Sequence, residues 1–278
     1  MGKNKLVSPV LKWVGGKRQL LPEIKLLLPK HIKNYCEPFV GGGAVLFDLQ
    51  PKSAIINDIN NDLILVYKVI KENVEDLIKE LEEYPNEEEF YYNLRNLDRD
   101  HNIFEALSDM KKAARVLYLN KTCYNGLYRV NNAGEFNSPF GRYKNPNIVN
   151  APVLRAVSTY FNSSDVVFSS NDFSYVLERV KKGTFVYLDP PYDPVSDTSS
   201  FTGYSRGGFS REQQIQLREC CDALNNKGIK FMLSNSATDF IRDQYAAYNI
   251  KIVQAKRAIN SVATKRGDVD EVIITNYE

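Results

Sequence analysis

The residues best equipped for chemistry are Asp189-Pro190-Pro191-Tyr192. An ionised Asp189 only accepts hydrogen bonds, and Pro190 adds a carbonyl with no competing N–H. Two acceptors side by side suit an exocyclic amino group, which carries two N–H donors. Tyr192 could lie flat on a planar heterocycle, where stacking is worth about 1–3 kcal/mol per base. The preceding Thr184-Phe185-Val186-Tyr187-Leu188 is β-branched, aromatic and apolar, which predicts a buried strand. Two prolines end it, since neither donates to a ladder and each fixes its own φ. The quartet is therefore expected at the carboxyl end of a core strand, where open α/β sheets bind ligands. The same residues also suit a strand end closed by a Pro-Pro turn, with a tyrosine covering the core.

Three further stretches have the character of a ligand site. Tyr35-Cys36-Glu37-Pro38-Phe39 reads as a short strand, followed by Val40-Gly41-Gly42-Gly43 and a helix from Ala44 to about Leu49. Glycines there let the backbone approach a ligand. Their spacing is not the dinucleotide pattern, because its third glycine would fall at Leu46. Asp58 follows the strand Ala54-Ile55-Ile56-Asn57 and is placed to accept both hydroxyls of a ribose; it also suits a helix cap before Asn61. Asp172 and Phe173 follow Asp165-Val166-Val167-Phe168-Ser169, where a carboxylate and an aromatic ring could hold an adenine by its amino group and face. Gly15-Gly16-Lys17 fails the phosphate-loop pattern, with Leu11 at the earlier glycine position and Arg18 in place of Ser or Thr.

These pieces predict an α/β sheet with helices on both faces. From Asn61 to about Met110 the pattern turns helical and acidic, and Lys111 to Asn120 continues it as a helix. Asn131-Asn132-Ala133-Gly134 predicts a hairpin between two short strands. The expected division is a catalytic domain, 1–67 and 148–278, and an insert, 68–147. Charge is uneven although the net is only +2. Lys68 to Met110 carries five Lys/Arg against thirteen Asp/Glu, whereas Lys111 to Pro146 carries seven Lys/Arg and one acid, Glu135. Bases interleaved with Tyr, Phe and Asn form the kind of surface that contacts duplex DNA. Arg129 is a candidate for bidentate contact with guanine, and Lys12, Arg142 and Lys144 for phosphates or bases. Asp193 to Gly208 is a polar, Gly/Ser-rich loop expected to act as a lid, and Ala255 to Gly267 is a second basic loop.

The remaining composition narrows the chemistry. Four cysteines and two histidines show no metal or disulfide spacing, so no metal site is expected. No apolar run reaches the ~20 residues of a membrane helix, and Met1-Gly2-Lys3-Asn4-Lys5 lacks the apolar core of a signal peptide. A reducing cytoplasm is the expected compartment.

Taken together, Pro38-Phe39-Val40-Gly41-Gly42-Gly43 early and Asp189-Pro190-Pro191-Tyr192 late resemble the amino-group DNA methyltransferases, in the order of the Dam-type adenine-N6 enzymes. The similarity extends to Lys12-Trp13-Val14-Gly15-Gly16-Lys17, Asn57-Asp58-Ile59-Asn60, Tyr124-Asn125-Gly126-Leu127-Tyr128-Arg129, Gly134-Glu135-Phe136-Asn137 and Pro139-Phe140-Gly141-Arg142-Tyr143. This resemblance implies a Rossmann-like S-adenosylmethionine-dependent methyltransferase with a DNA-recognition insert. It implies that Trp13, Lys17, Phe39, Gly41, Gly43, Asp58, Asp172, Phe173 and Asp189 bind S-adenosylmethionine, with Asp189, Pro190 and Tyr192 catalytic. Tyr124, Asn125, Leu127 and Arg129 match positions that insert into or read the duplex. The implied target is 5′-GATC, in a bacterial or phage enzyme acting as a monomer or weak dimer on DNA, alone or beside a restriction endonuclease. Cytosine-N4 relatives more often carry Ser in place of the Asp, so Asp189 favours adenine. A non-catalytic DNA-binding regulator would leave the glycine turn and Asp58 unexplained.

Overall fold

Seven strands form one sheet: β1 (Asn34–Glu37), β2 (Ser53–Asn57), β3 (Asp165–Ser169), β4 (Thr184–Leu188), β5 (Lys230–Ser236), β6 (Asn249–Lys256) and β7 (Asp268–Thr275). The computed structural model describes residues 3–13, 15–17, 19–195, 209–256 and 268–278. Strand order is β3-β2-β1-β4-β5-β7-β6. β1 to β5 run parallel, and β7 runs antiparallel between β5 and β6. From β1 the chain builds outward through β2 and β3, then returns to the other side of β1 for β4. The crevice at the carboxyl ends of β1 and β4 is thus the switch point where such sheets bind ligands.

Alternation along the strands builds two cores. Tyr35, Ala54, Ile56, Phe185, Tyr187, Met232 and Ile273 point to one face. Cys36, Val186, Leu188, Phe231, Leu233, Val272 and Ile274 point to the other. All five residues of β4 are buried, as expected for a strand covered on both sides. The first face is covered from α1 (Leu21–Leu27), α2 (Ala44–Leu49), α3 (Asn61–Glu72), α4 (Val74–Glu82), α5 (Glu88–Asn96), α7 (Asp109–Thr122) and α8 (Ala151–Asn162), with α6 (His101–Ala106) outside them. The second is covered by α9 (Phe173–Glu178), α10 (Arg211–Asn226) and α11 (Asp239–Gln244). Among the described residues no helix is long and apolar enough to cross a membrane.

Several expectations shift in detail. The helical stretch from Asn61 to Met110 is broken into α3 to α6 by local backbone chemistry. Asn73 leaves the helical region at φ −140° between α3 and α4. Asp100 caps α6 by accepting from Asn102 and Ile103 N–H, and Ser108 caps α7. The boundary expected at 67/68 falls inside α3, and one hydrophobic cluster runs from the sheet through α3, α4 and α7. The insert therefore continues out of the core and does not hang from a linker. α8 was not foreseen, although Pro152 in its first turn is a start signal. The hairpin shrinks to two isolated antiparallel bridges, Cys123–Phe140 and Val130–Phe136. There the Asn131 carboxamide oxygen takes Ala133 and Glu135 N–H, closing the turn before strands can develop.

Asn57, fully buried at the end of β2, ties the loops of the carboxyl edge together. Its amide donates to Pro38 O at 3.0 Å and Asn171 O at 2.9 Å, and its oxygen accepts from Ser169 Oγ and Asn171 N. Asn57→Ala strands several buried polar groups at once and is expected to cost at least about 2 kcal/mol. Urea denaturation at neutral pH checks this; a loss within experimental error would show that the edge is not held by this side chain.

Candidate active site

The site gathers at the carboxyl ends of β1, β2 and β4. Asp189 follows β4, and Lys17 approaches it from the segment before α1. Lys17 Nζ lies 2.7 Å from Asp189 Oδ1, 2.6 Å from Gly15 O and 4.5 Å from the centroid of the Tyr192 ring. A carboxylate and an aromatic face thus converge on one point, and this ammonium occupies it. Lys17 is only 6% exposed. Burial raises the Asp189 carboxyl to about 6, against the pull of Lys17, with Glu271 adding to the rise.

The elbow after Asp189 is held from both sides. Pro191 O accepts from Gln214 Nε2 at 2.9 Å. Asp193 N donates to Asn235 Oδ1 at 3.0 Å, and Asn235 Nδ2 donates to Gln214 Oε1 at 3.1 Å. Asp193 itself is buried, its carboxylate bound by Arg211 and by Thr238 Oγ1 at 2.8 Å. The expected lid therefore does not begin at Asp193, which belongs to the fixed part of the site. Positions 196–208 of that loop, and 257–267 of the basic loop, lie outside the described residues. Tyr192 Oη donates to Glu271 Oε2 at 2.9 Å.

On the other side of the crevice, Gly41 adopts φ +47°, and a Cβ there would meet Trp13 Cδ1 at 2.8 Å. Gly43 follows in the left-handed region as the residue before α2. Asp58 Oδ2 accepts from Gly41 N at 3.0 Å and Asp58 Oδ1 from Asn60 N at 3.0 Å. Both oxygens keep a lone pair for another donor. Burial outweighs those two hydrogen bonds and raises the Asp58 carboxyl to about 6. A pair of hydroxyls on Asp58 and an anionic group near Lys17 match the ribose and carboxylate of S-adenosylmethionine, so these residues fit the donor. Phe39 and Phe173 pack with tilted rings 5.3 Å apart at their centroids, with Phe209 against both. Phe173 is thereby packed into the second core, while exposed Asp172 caps α9 through Ser174 N–H.

Trp13 stacks on Tyr128, with ring centroids 4.9 Å apart. The backbone of Lys12 is gripped by buried Asn120, which accepts from its N–H and donates to its carbonyl, each at 2.8 Å. Asn120 also donates to Gly126 O at 3.4 Å. Tyr124 is 58% exposed at the tip of the adjoining loop, beside exposed Asn125 at φ +58° and half-buried Leu127. Arg129 braces the hairpin through Asn137, with Nε 2.7 Å from its Oδ1. Arg142, exposed, pairs with Glu88 at 2.9 Å, and Lys144 is exposed beside Tyr143. Phe136 is buried in the first core and half-buried Phe140 packs against it, whereas half-buried Tyr143 faces Lys12 Nζ at 5.6 Å. Gln214, Asn235, Glu271 and Asn120 were not singled out by sequence. Only the polar Ser234-Asn235-Ser236 run at the end of an apolar strand could have flagged one of them.

A parallel sheet with a glycine turn after β1, a carboxylate after β2 and an acceptor-rich elbow after β4 defines a Rossmann-like methyltransferase domain. The chain belongs to the D12 class N6 adenine-specific DNA methyltransferase family, whose profile matches residues 13–259. It is 44% identical over 278 residues to the Type II methyltransferase M1.LlaDCHI of Lactococcus lactis subsp. cremoris, covering 99% of this chain and 98% of that protein. It is 46% identical over 291 residues to the Type II methyltransferase M.MjaIII of Methanocaldococcus jannaschii, covering 98% and 99%. The DNA adenine methylase of Escherichia coli (strain K12) is 35% identical over 267 residues, covering 95% and 93%.

Both Asp189 and Asp58 stand near 6, above the ordinary aspartate value of about 3.9. Protonated, each carboxyl donates as well as accepts, so acid weakens both as acceptors. The quantity kcat/KM reports the free enzyme. It is expected to rise with pH up to about 6, with a logarithmic slope approaching 2 on the acid limb. A pH series of methyl transfer measures this, and a limb centred near 4 would contradict it.

Proposed function

We propose that this chain transfers a methyl group from S-adenosylmethionine to adenine N6 in duplex DNA, at a base rotated out of the helix into the crevice beside Asp189. The observation that carries this is the resident ammonium of Lys17. It marks a point where a cationic N–H group pairs with Asp189 at 2.7 Å while facing the Tyr192 ring, and Asp189 Oδ1 is left without a hydrogen-bond partner among the described residues; an extruded adenine would bring its amino group and its face to the same two groups. Family membership supplies the adenine-N6 specificity.

Extrusion costs a few kcal/mol of stacking and pairing. Stacking on Tyr192 and hydrogen bonds to Asp189 and the Pro190 carbonyl offset that cost. For the amino group to enter, Lys17 withdraws from Asp189 Oδ1, and one N–H donor replaces another at the same acceptor. Asp189 and the Pro190 carbonyl then draw the amino lone pair out of ring conjugation and aim it along the crevice. When bound, the donor supplies a methyl carbon on a sulfonium that departs as a neutral thioether. Asp58 would hold its ribose and Gly41 would let the backbone approach it, with Lys17, once released, beside the carboxylate. Rate comes from alignment and from the negative charge of Asp189 beside nitrogen as it becomes cationic. With its carboxyl raised to about 6, Asp189 is a better acceptor for the surplus N6 proton than an ordinary aspartate.

The segment 68–147 acts as the target-recognition insert. Tyr124 at its exposed tip enters the duplex, assisted by Asn125 and Leu127; Arg129 reads a base, and Lys12, Arg142 and Lys144 contact the backbone. The target that the Dam-type resemblance offers is 5′-GATC. The Type II names of two relatives support a place beside a restriction endonuclease.

Asp189→Ala is expected to lower methyl transfer by more than about 10²-fold while duplex affinity is retained. Arg129→Ala is expected to relax site choice by about 1–3 kcal/mol at one base pair. Asn137→Ala, which removes the side-chain acceptor of the same guanidinium and leaves its bond to the backbone carbonyl, serves as the control for hairpin bracing. Sequencing of methylated bases in DNA exposed to each protein reads out transfer and site choice, and a gel-shift titration reads the duplex affinity of Asp189→Ala. Methylation confined to sites other than GATC would overturn the target, and Arg129→Ala weakening every sequence alike would overturn its reading role.

A further inference from the structure

Tyr192 is fixed at its backbone by neighbours that leave its ring free to turn. Gln214 holds the carbonyl before it and Asn235 the N–H after it. Neither contact restrains the two side-chain torsions that set the plane of the ring. That restraint comes from the far end, where Tyr192 Oη donates to Glu271 Oε2 at 2.9 Å. Glu271 arrives on β7, the strand inserted antiparallel beside β5, in register with Ser236. It is well removed in sequence from the elbow it touches. The opposite constraint on the ring is Lys17, whose ammonium lies 4.5 Å from the ring centroid while touching Asp189. The ring is therefore held with one face aimed at the acceptor carboxylate and its hydroxyl tied back to the neighbouring strand.

We propose that Glu271 is a positioning residue for methyl transfer: by accepting from the Tyr192 hydroxyl it keeps that ring turned toward the base beside Asp189. This rests on the base-stacking role proposed for Tyr192. The bond needs an acceptor at position 271 and does not need a negative charge, so Gln serves where Ala does not. Glu271 acts on the ring through one hydroxyl; its charge, which also raises the Asp189 carboxyl, is lost in Gln and Ala alike, so the difference between those two variants isolates the hydrogen bond.

The full-length chain is assayed in single turnover with tritiated S-adenosylmethionine and unmethylated plasmid DNA. Glu271→Ala is expected to slow methyl transfer about tenfold with the KM for the donor within about twofold of the parent. Glu271→Gln is expected to retain most of the rate, because the amide oxygen still accepts. Tyr192→Phe should match Glu271→Ala, and the double variant Tyr192→Phe/Glu271→Ala should be no slower than the slower single variant. A purely structural role would instead give additive losses and a raised donor KM. Additivity, a parental rate in Glu271→Ala, or equal damage from Gln and Ala each overturns the proposal. If Glu271→Ala does not fold, Tyr192→Phe decides, and a parental rate there overturns it. Tyr192→Ala separates the two levels: an active Tyr192→Ala sinks the stacking role itself, whereas an inactive one beside an unaffected Glu271→Ala sinks only the part given to Glu271.

Discussion

The contact between Lys17 and Asp189 sets the terms for the rest of the site. A carboxylate at the end of a fully buried strand is costly to keep ionised, because few waters reach it and the core beneath it is apolar. A buried lysine is costly for the same reason. Brought to 2.7 Å, each offsets the cost of the other. The ion pair leaves Asp189 Oδ1 without a hydrogen bond among the described residues, so the carboxylate keeps capacity for a better-aligned N–H donor. A site built this way is preorganised for an N–H donor without being sealed against one.

Around that pair the molecule divides its labour by strand ends. Loops after β1 and β2 carry Gly41 and Asp58, hydrogen-bonded to each other at 3.0 Å. The elbow after β4 is locked by Gln214 and Asn235, both buried, so the acceptors cannot drift as ligands come and go. Polar residues in such positions are stable only because each finds a partner, and here the partners are the backbone of the elbow. Helices α3, α4 and α7 share the first core with the sheet, and Trp13, packed against Gly41, stacks on Tyr128, which ties the segment after α7 to the glycine turn.

How much of this the amino acids reveal unaided depends on the range of the interactions. The strand Thr184–Leu188 and its Pro-Pro ending are local properties, and the structure has both where periodicity and proline chemistry put them. The glycine turn, α2 and the end of β2 are equally local, and their bounds agree closely. The breaks that divide α3 to α6 depend on single Asn, Asp and Ser caps inside a continuous helical pattern, which periodicity overrides. Asp193 reads as a loop residue because its burial is created by α10 and the end of β5. Glu271 is hidden most deeply: in Glu271-Val272-Ile273-Ile274 it looks like the polar start of a strand. Only the antiparallel insertion of β7 beside β5 brings it to Tyr192.

The stack of Trp13 on Tyr128 has a practical side. The chain contains one tryptophan, and it lies where the glycine turn meets the root of the insert. Indole fluorescence therefore arises from a single seam, with a phenol on one side and the Gly41 backbone on the other. Its colour and lifetime carry no signal from elsewhere in the chain. The native protein holds its own optical gauge, without a dye, of whether that seam stays closed.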